Sequence, residues 1–325
     1  MNLTKNIALV GAGQLGSRHL QSLSKVANLS IQVFDTSEDS LKTAKNRFEE
    51  VSKDFNGNIS YHTNLGEIKN EIDIAIIATN SKVRRKIIED ILQISTIKNF
   101  ILEKFLFVNK EDYSEISKLF LKKNIKAWVN CPRRLIDFYI KLKNEMQEPI
   151  NFLVNGNSWG LGCNGIHFLD LFAFLIDSTK IDLSNVLIDR NTVESKRLGY
   201  IEFTGTIAGN SNENSFAINS NPLDPSPLVI SISSNDVNYV IFEGSTSKVL
   251  KAKKINNWKW EEEFFDIPFQ SQMTNVVVDS ILQNGTCMLT SFEESSKLHL
   301  LFLDNLIDFL REIKSDNTIE ECLIT

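Results

Sequence analysis

Short apolar runs alternate with amphipathic stretches through the first 129 residues. Runs at 7–10, 30–34, 58–61, 72–78, 99–102 and 125–129 have the length and β-branched content of strands. Between them, 17–26, 38–51, 83–94 and 113–123 carry apolar residues at helical spacing. The run Ile72-Asp73-Ile74-Ala75-Ile76-Ile77-Ala78 suits a central parallel strand, buried on both faces. This order predicts an α/β domain: a Rossmann-type, doubly wound parallel sheet. Ligands in such sheets sit beyond the carboxyl ends of the strands.

Near residue 130 the pattern changes. A helical stretch runs to Met146 and Pro149 ends it; 150–158 reads as a strand, 159–165 as a glycine-rich loop, and 166–176 as a helix capped by Asn164. From 181 to 265 the chain is strand-rich without intervening helices, and Asn256-Asn257 reads as a hairpin turn. Helices over 270–283 and 292–314 close the chain. The second part is therefore expected to be an α+β domain on an open antiparallel sheet. One face of that sheet needs helices, and the other must be solvated or covered by another subunit, which points to a homo-oligomer. The expected domains are 1–129 and 130–325, with the late helices able to pack back on the first.

The first strand runs into Gly11-Ala12-Gly13-Gln14-Leu15-Gly16, a G-x-G-x-x-G loop. Gly11 permits the tight turn, Gly13 lets a pyrophosphate approach the backbone, and Gly16 lets helix and strand pack closely. Gln14 and Leu15 open the helix, whose free N–H groups and positive dipole end favour phosphate. The second strand ends in Asp35, nineteen residues past Gly16, close to the ~20 expected of the carboxylate that binds the adenosine ribose. Thr36 and Ser37 follow, with no arginine to receive a 2′-phosphate. The cofactor expected of residues 1–129 is NAD rather than NADP.

Two further strand ends attract chemistry. Thr79 and Asn80 can hydrogen-bond a cofactor passing above them, and Asn80 can equally cap the next helix. Glu103-Lys104 follows the fifth strand directly: a lysine beside a nicotinamide can serve as acid or base, although local sequence alone favours a surface ion pair. In the second part, His167 and Asp170 share one helix stripe with Leu171 and Phe174. The histidine can move a proton or sit in the core satisfied by Asp170, and the second reading is favoured locally.

The totals narrow the function classes. Of 325 residues, 42% are hydrophobic, enough for a sizeable core, and a net charge of −6 argues against a nucleic-acid scaffold. No apolar run approaches the ~20 residues of a membrane span, and no signal peptide is visible, so a cytoplasmic protein is expected. Cys131, Cys163, Cys287 and Cys322 are scattered without C-x-x-C, which fits a reducing compartment and gives no metal site.

Gly11-Ala12-Gly13-Gln14-Leu15-Gly16-Ser17-Arg18-His19, Glu103-Lys104 and Gly165-Ile166-His167-Phe168-Leu169-Asp170, in that order, resemble the glucose-fructose oxidoreductase / inositol dehydrogenase / MocA (Gfo/Idh/MocA) family. The resemblance implies an NAD(P)-dependent oxidoreductase of sugars, cyclitols or nucleotide sugars, dimeric or tetrameric through the open sheet. It implies that Lys104 contacts nicotinamide and substrate as the main acid/base, that His167 assists proton transfer, that Glu103 lines the nicotinamide end, and that Thr79 and Asn80 run under the cofactor. Arg133 or Arg134 would meet an anionic substrate group, with Asn164 and Asp170 completing the substrate set. A place in surface-polysaccharide synthesis is analogy alone.

Two departures stand out. The family often has proline after Glu-Lys, where this chain has Phe105; a cis bond before a non-proline residue costs about 3 kcal/mol, so a different local geometry is expected. Many of its sugar dehydrogenases carry an aspartate four residues before the histidine, where this chain has Cys163. A thiol cannot replace that carboxylate, which leaves two alternatives open: a non-catalytic NAD-binding sensor or partner subunit, and a reductase of an imine or conjugated double bond.

Overall fold

A computed structural model describes residues 4–244 and 246–325. The described chain divides into two compact units: residues 4–107, 111–131 and 268–295 form the first, and 108–110, 132–244, 246–267 and 296–325 form the second. A late segment, 268–295, thus clusters with the first unit.

The first unit begins with β1 (Lys5–Val10), α1 (Gln14–Leu23), β2 (Leu29–Phe34), α2 (Glu38–Glu49), β3 (Asn58–His62), β4 (Glu71–Ile77), α3 (Ser81–Ile94), β5 (Thr96–Leu102), α4 (Lys110–Lys122) and β6 (Lys126–Val129). The six strands are parallel, in the order β6-β5-β4-β1-β2-β3. Ile7, Leu9, Ile74, Ile76 and Phe100 are buried, as a sheet covered on both faces requires. Register is the feature that positions chemistry. Val10 pairs with Phe34 and with Ile77, Ile77 with Leu102, and Leu102 with Val129. The strands therefore end in one row, and Gly11, Asp35, Ala78, Glu103 and Asn130 stand side by side just beyond it. Backbone bonds extend the ladder there: Gly11 N donates to Phe34 O (2.8 Å), Ala78 N to Val10 O (2.8 Å), Glu103 N to Ile77 O (3.1 Å) and Asn130 N to Leu102 O (2.8 Å).

The second unit contains α5 (Asp137–Glu145), β7 (Asn151–Asn157), α6 (Leu161–Leu175), β8 (Asp182–Ile188), β9 (Val193–Glu194), β10 (Ile201–Glu202), β11 (Gly205–Ser211), β12 (Asn214–Asn221), β13 (Val229–Ser233), β14 (Val237–Phe242), β15 (Ser247–Lys253) and β16 (Trp260–Phe265). Eight of these strands form one sheet, ordered β16-β15-β14-β13-β7-β12-β11-β8, while β9 and β10 pair separately. The large sheet is antiparallel except where β7 and β12 run parallel. Period-two patterning buries Phe152, Val154, Phe216, Ile218, Ile230 and Ile232 on one face. On that face Phe172 of α6 meets the rings of Phe152 and Phe216, with centroids 5.9 and 5.0 Å away.

Two corrections concern α6. The expected loop over 159–165 is instead a turn at Gly160 (φ +83°) followed by the start of the helix at Leu161. Asn164 lies inside the helix and does not cap it. The reason is a long-range cap: the Glu202 carboxylate at the end of β10 accepts from Gly162 N (2.8 Å) and Cys163 N (3.1 Å). It satisfies helix N–H groups that no local side chain reaches. His167 consequently sits in the second turn of α6, not at its start.

Then α7 (Gln270–Asn284) packs against α1 in the first unit, and β17 (Thr290–Ser291) adds an antiparallel edge to β6. In α8 (Phe292–Lys314) the residues from Ser296 onward belong to the second unit and bury Leu298, Phe302, Leu306 and Leu310. A Cβ at Gly165 would lie 2.7 Å from the Phe302 ring, so the two helices meet where α6 has no side chain. The C-terminal residues Cys322 and Ile324 are buried, with Cys322 N donating to Val108 O (2.8 Å).

Candidate active site

The glycine loop has the shape a dinucleotide needs. Gly11 has φ +95°, and a Cβ there would lie 2.9 Å from the Ala78 carbonyl carbon; a Cβ on Gly16 would lie 1.8 Å from Gly11 O. Both positions thus require glycine for close packing within the unit. Gly13 differs: a Cβ there would meet nothing within 4 Å, so its missing side chain leaves open space beside the loop. Gly13 is also the N-cap of α1 and offers no side chain to the first N–H groups of Gln14, Leu15 and Gly16. Open space next to unsatisfied N–H groups fits a pyrophosphate. Asp35 stands beside the loop, with Oδ2 accepting from Ala12 N (2.7 Å) and Oδ1 from Ser37 N (2.9 Å). Each oxygen keeps a lone pair for a ribose hydroxyl. The Thr79 hydroxyl oxygen is buried with no hydrogen-bond partner, which suits a segment that a bound cofactor would complete. The Asn80 side chain caps α3 by accepting from Val83 N (3.3 Å).

Glu103 is not half of a surface ion pair. It is 4% exposed, and its Oε1 accepts from His19 Nε2 (2.8 Å) and Asn130 Nδ2 (2.5 Å). His19, fully buried in α1, places its Nδ1 2.8 Å from the Thr274 hydroxyl of α7, and Gln270 bridges Asn130 and Thr274. Burial pushes the Glu103 carboxyl up, but the His19 and Asn130 hydrogen bonds and the nearby Lys104 charge outweigh it and hold the group below the usual carboxylate range. From Ile101 to Val108 every residue is buried except Lys104, which is half-buried. The peptide between Lys104 and Phe105 is cis.

In the second unit, α6 carries His167, which is half-buried, four residues after Cys163, whose Sγ lies 3.7 Å from Gly160 O. Asp170 is 1% exposed and accepts from Arg134 Nε (2.7 Å), so the sequence-expected partner of His167 is held by an arginine. Arg133 forms a forked ion pair with Glu243, through Nε (3.0 Å) and Nη2 (2.5 Å), and lies over the Phe168 ring. Tyr139 donates to the same Glu243 (2.6 Å), and burial and that carboxylate push its hydroxyl well above its ordinary value. The Asn164 amide donates to Trp159 O (2.9 Å). Three expected substrate residues, Arg133, Asn164 and Asp170, therefore already hold partners within their own unit.

Residues 5–131 match the model of an oxidoreductase family with an NAD-binding Rossmann fold, GFO_IDH_MocA. The first domain is therefore of the Gfo/Idh/MocA oxidoreductase family. The matched domain is that of an NAD(P)-dependent oxidoreductase, with NAD as its cofactor. Solved structures of similar fold include an oxidoreductase from Agrobacterium radiobacter in complex with NAD+, L-tartaric acid and magnesium (16% identity, 92% of this chain and 94% of that one, TM-score 0.69). UDP-N-acetylglucosamine 3-dehydrogenase GnnA from Acidithiobacillus ferrooxidans matches at 12% identity over 93% and 96% of the two chains (TM-score 0.68). The transcriptional regulator Gal80p from Kluyveromyces lactis matches at 15% identity over 95% and 90% (TM-score 0.69). At such identities these likenesses establish the fold. No curated protein matches by sequence.

The sequence alone does not mark Asn130, Gln270 and Thr274, whose roles depend on α7 returning to α1. His19 was visible as part of the motif, and its place on the buried stripe with Leu20 and Leu23 was the available signal of a buried polar partner.

Gly13→Ala should keep the wild-type melting curve and weaken NADH binding about tenfold or more by calorimetry, because the added methyl enters only the open space. Gly16→Ala should instead lower the melting temperature, because its methyl meets backbone. Glu103→Gln should cost about 1–3 kcal/mol near neutral pH in urea unfolding. The folded carboxyl titrates below its unfolded value of about 4.3, so its contribution is present above that pH and fades as pH falls through the folded value. The gap between wild type and Glu103→Gln should therefore narrow towards pH 3; a constant gap would assign the loss to packing instead.

Proposed function

We propose that the chain transfers a hydride between NAD(H) and a carbon of a sugar or nucleotide sugar, with Lys104 as the main acid/base and His167 assisting. The observation that carries this reading is Lys104 itself: the single accessible residue in an otherwise buried segment, at the carboxyl end of β5, in the row that begins with the glycine loop. In a doubly wound sheet that edge is where a cofactor lies. Bound NAD supplies the hydride acceptor or donor. In the oxidising direction Lys104 Nζ takes the hydroxyl proton as the carbon gives up its hydride, and in the reducing direction it returns that proton to the carbonyl oxygen. Glu103, fixed by His19 and Asn130, holds the backbone from which Lys104 projects. His167 is the second proton carrier in this reading. A nucleotide-sugar substrate would extend it to surface-polysaccharide synthesis in the cytoplasm, where scattered cysteines without a C-x-x-C pair are at home. Among the described residues no helix is long and apolar enough to cross a membrane.

Cys163 favours a second reading, an NAD-binding sensor or partner subunit without turnover, since the position lacks a carboxylate that could relay protons. Both readings are separated by one screen: NAD+ with sugars, cyclitols and nucleotide sugars, followed by NADH absorbance. The catalytic reading expects NADH with one substrate class, and a loss of about 10²–10⁴-fold in Lys104→Ala with NADH binding kept. Cofactor binding with no turnover by any compound would select the sensor, and an active Lys104→Ala would remove the lysine from its role.

We also propose a homodimer or homotetramer assembled through the uncovered face of the large sheet, which presents Leu153, Trp260 and Phe264 to solvent. Light scattering should give a dimer or tetramer that Phe264→Glu dissociates; a monomeric wild type would overturn this.

A further inference from the structure

Arg84 lies in the second turn of α3 and is fully buried. Its Nη1 donates to the carbonyls of Phe105 and Leu106, the latter at 2.6 Å, and its Nη2 donates to the carbonyl of Thr79. Thr79 follows β4, whereas Phe105 and Leu106 follow β5, so one guanidinium ties two neighbouring strand ends together. These carbonyls lie beyond the ladder and need donors from elsewhere. Three neutral amides could supply them without burying a cation, which is costly to desolvate. What the arginine adds is shape: a planar fork whose N–H groups point in fixed directions and hold three acceptors in one arrangement.

The residues on either side of Lys104 leave it little freedom. Glu103 is held by His19 and Asn130, and Phe105 to Val108 are buried. The Phe105 and Leu106 carbonyls are anchored by the same group that anchors Thr79, whose buried hydroxyl waits for a partner. We propose that Arg84 is a positioning residue for Lys104: by clamping the Thr79, Phe105 and Leu106 carbonyls, it sets the placement of the proton-handling lysine against the segment beneath the cofactor. This rests on the reading of Lys104 as the acid/base. Arg84 touches neither substrate nor cofactor in this role and acts through the backbone alone.

The test compares Arg84→Lys, Arg84→Gln and Lys104→Ala in the full chain, with the substrate found in the screen above. A lysine at 84 keeps the charge and loses the fork. Arg84→Lys should lower kcat about 10–100-fold, because a displacement of an ångström at the reacting groups costs that much. KM and NADH affinity should stay within about threefold of wild type. Arg84→Gln, which keeps neither charge nor fork, should show the same fall in kcat with little change in KM. A kcat for Arg84→Lys within about twofold of wild type, with Lys104→Ala inactive, overturns the positioning role. An active Lys104→Ala removes the catalytic reading instead, so the two failures are distinct. Should both Arg84 variants fail to fold, or no turnover be found, amide exchange on the wild-type protein decides. NAD+ should slow exchange around Thr79 and over residues 105–108 together, and slowing around Thr79 alone overturns the coupling.

Discussion

A carboxylate almost out of reach of water is stable as an anion only where donors replace its hydration, and Glu103 has His19 and Asn130 on one oxygen. Those donors come from α1 and from the end of β6, and His19 is in turn anchored to Thr274 of α7. The helix that opens the glycine loop, two strand ends and a helix from late in the chain therefore share one buried polar network. None of its members can shift without leaving a buried polar group unpaired. This ties the loop that would carry the cofactor to the strand end that carries Lys104, and it explains why residues 268–295 belong to the first unit although they lie far along the chain.

The second unit solves a different problem. Helix α6 is apolar on nearly all sides and has to be enclosed, by the large sheet through Phe172 and by α8 through the Gly165–Phe302 approach. Enclosure leaves its N-terminal N–H groups away from water, and Glu202 supplies the acceptor. The anionic side chain at the head of α6 is thus a cap from β10 engaged with two backbone N–H groups. Position 163, three residues into the helix, is freed from capping and holds a thiol.

What could be read from the sequence was what is local. Strand runs, the glycine loop and Asp35 sit where the pattern puts them, because side-chain alternation and turn chemistry act over a few residues. The Glu103–Lys104 pair attracted notice for its place after a strand, but its partner was misjudged: the donor is His19, 84 positions away, and the network closes through Thr274, 255 positions from His19. The start of α6 was missed for the same reason, since Glu202 lies 40 positions from Gly162. Arg84 carries no local signal, because nothing nearby in the sequence reveals that three carbonyls converge on it. Charged residues near strand ends were thus identifiable as candidates, while their roles were decided by segments that only the fold brings together.

Cofactor choice shows how such long-range fixing turns a motif into a discriminator. A carboxylate after the second strand favours ribose hydroxyls and repels a 2′-phosphate, but only if it cannot turn aside. Asp35 is held on both oxygens, by Ala12 N of the glycine loop at 2.7 Å and by Ser37 N at 2.9 Å. Arg47 of α2, the cation nearest the loop among these contacts, is committed to Ser17 Oγ (2.6 Å) and Gln14 Oε1 (2.9 Å). A 2′-phosphate beside Asp35 would therefore meet a fixed negative charge, with the neighbouring arginine already engaged on the loop. The preference for NAD lies in the rigidity of the acid as much as in its identity.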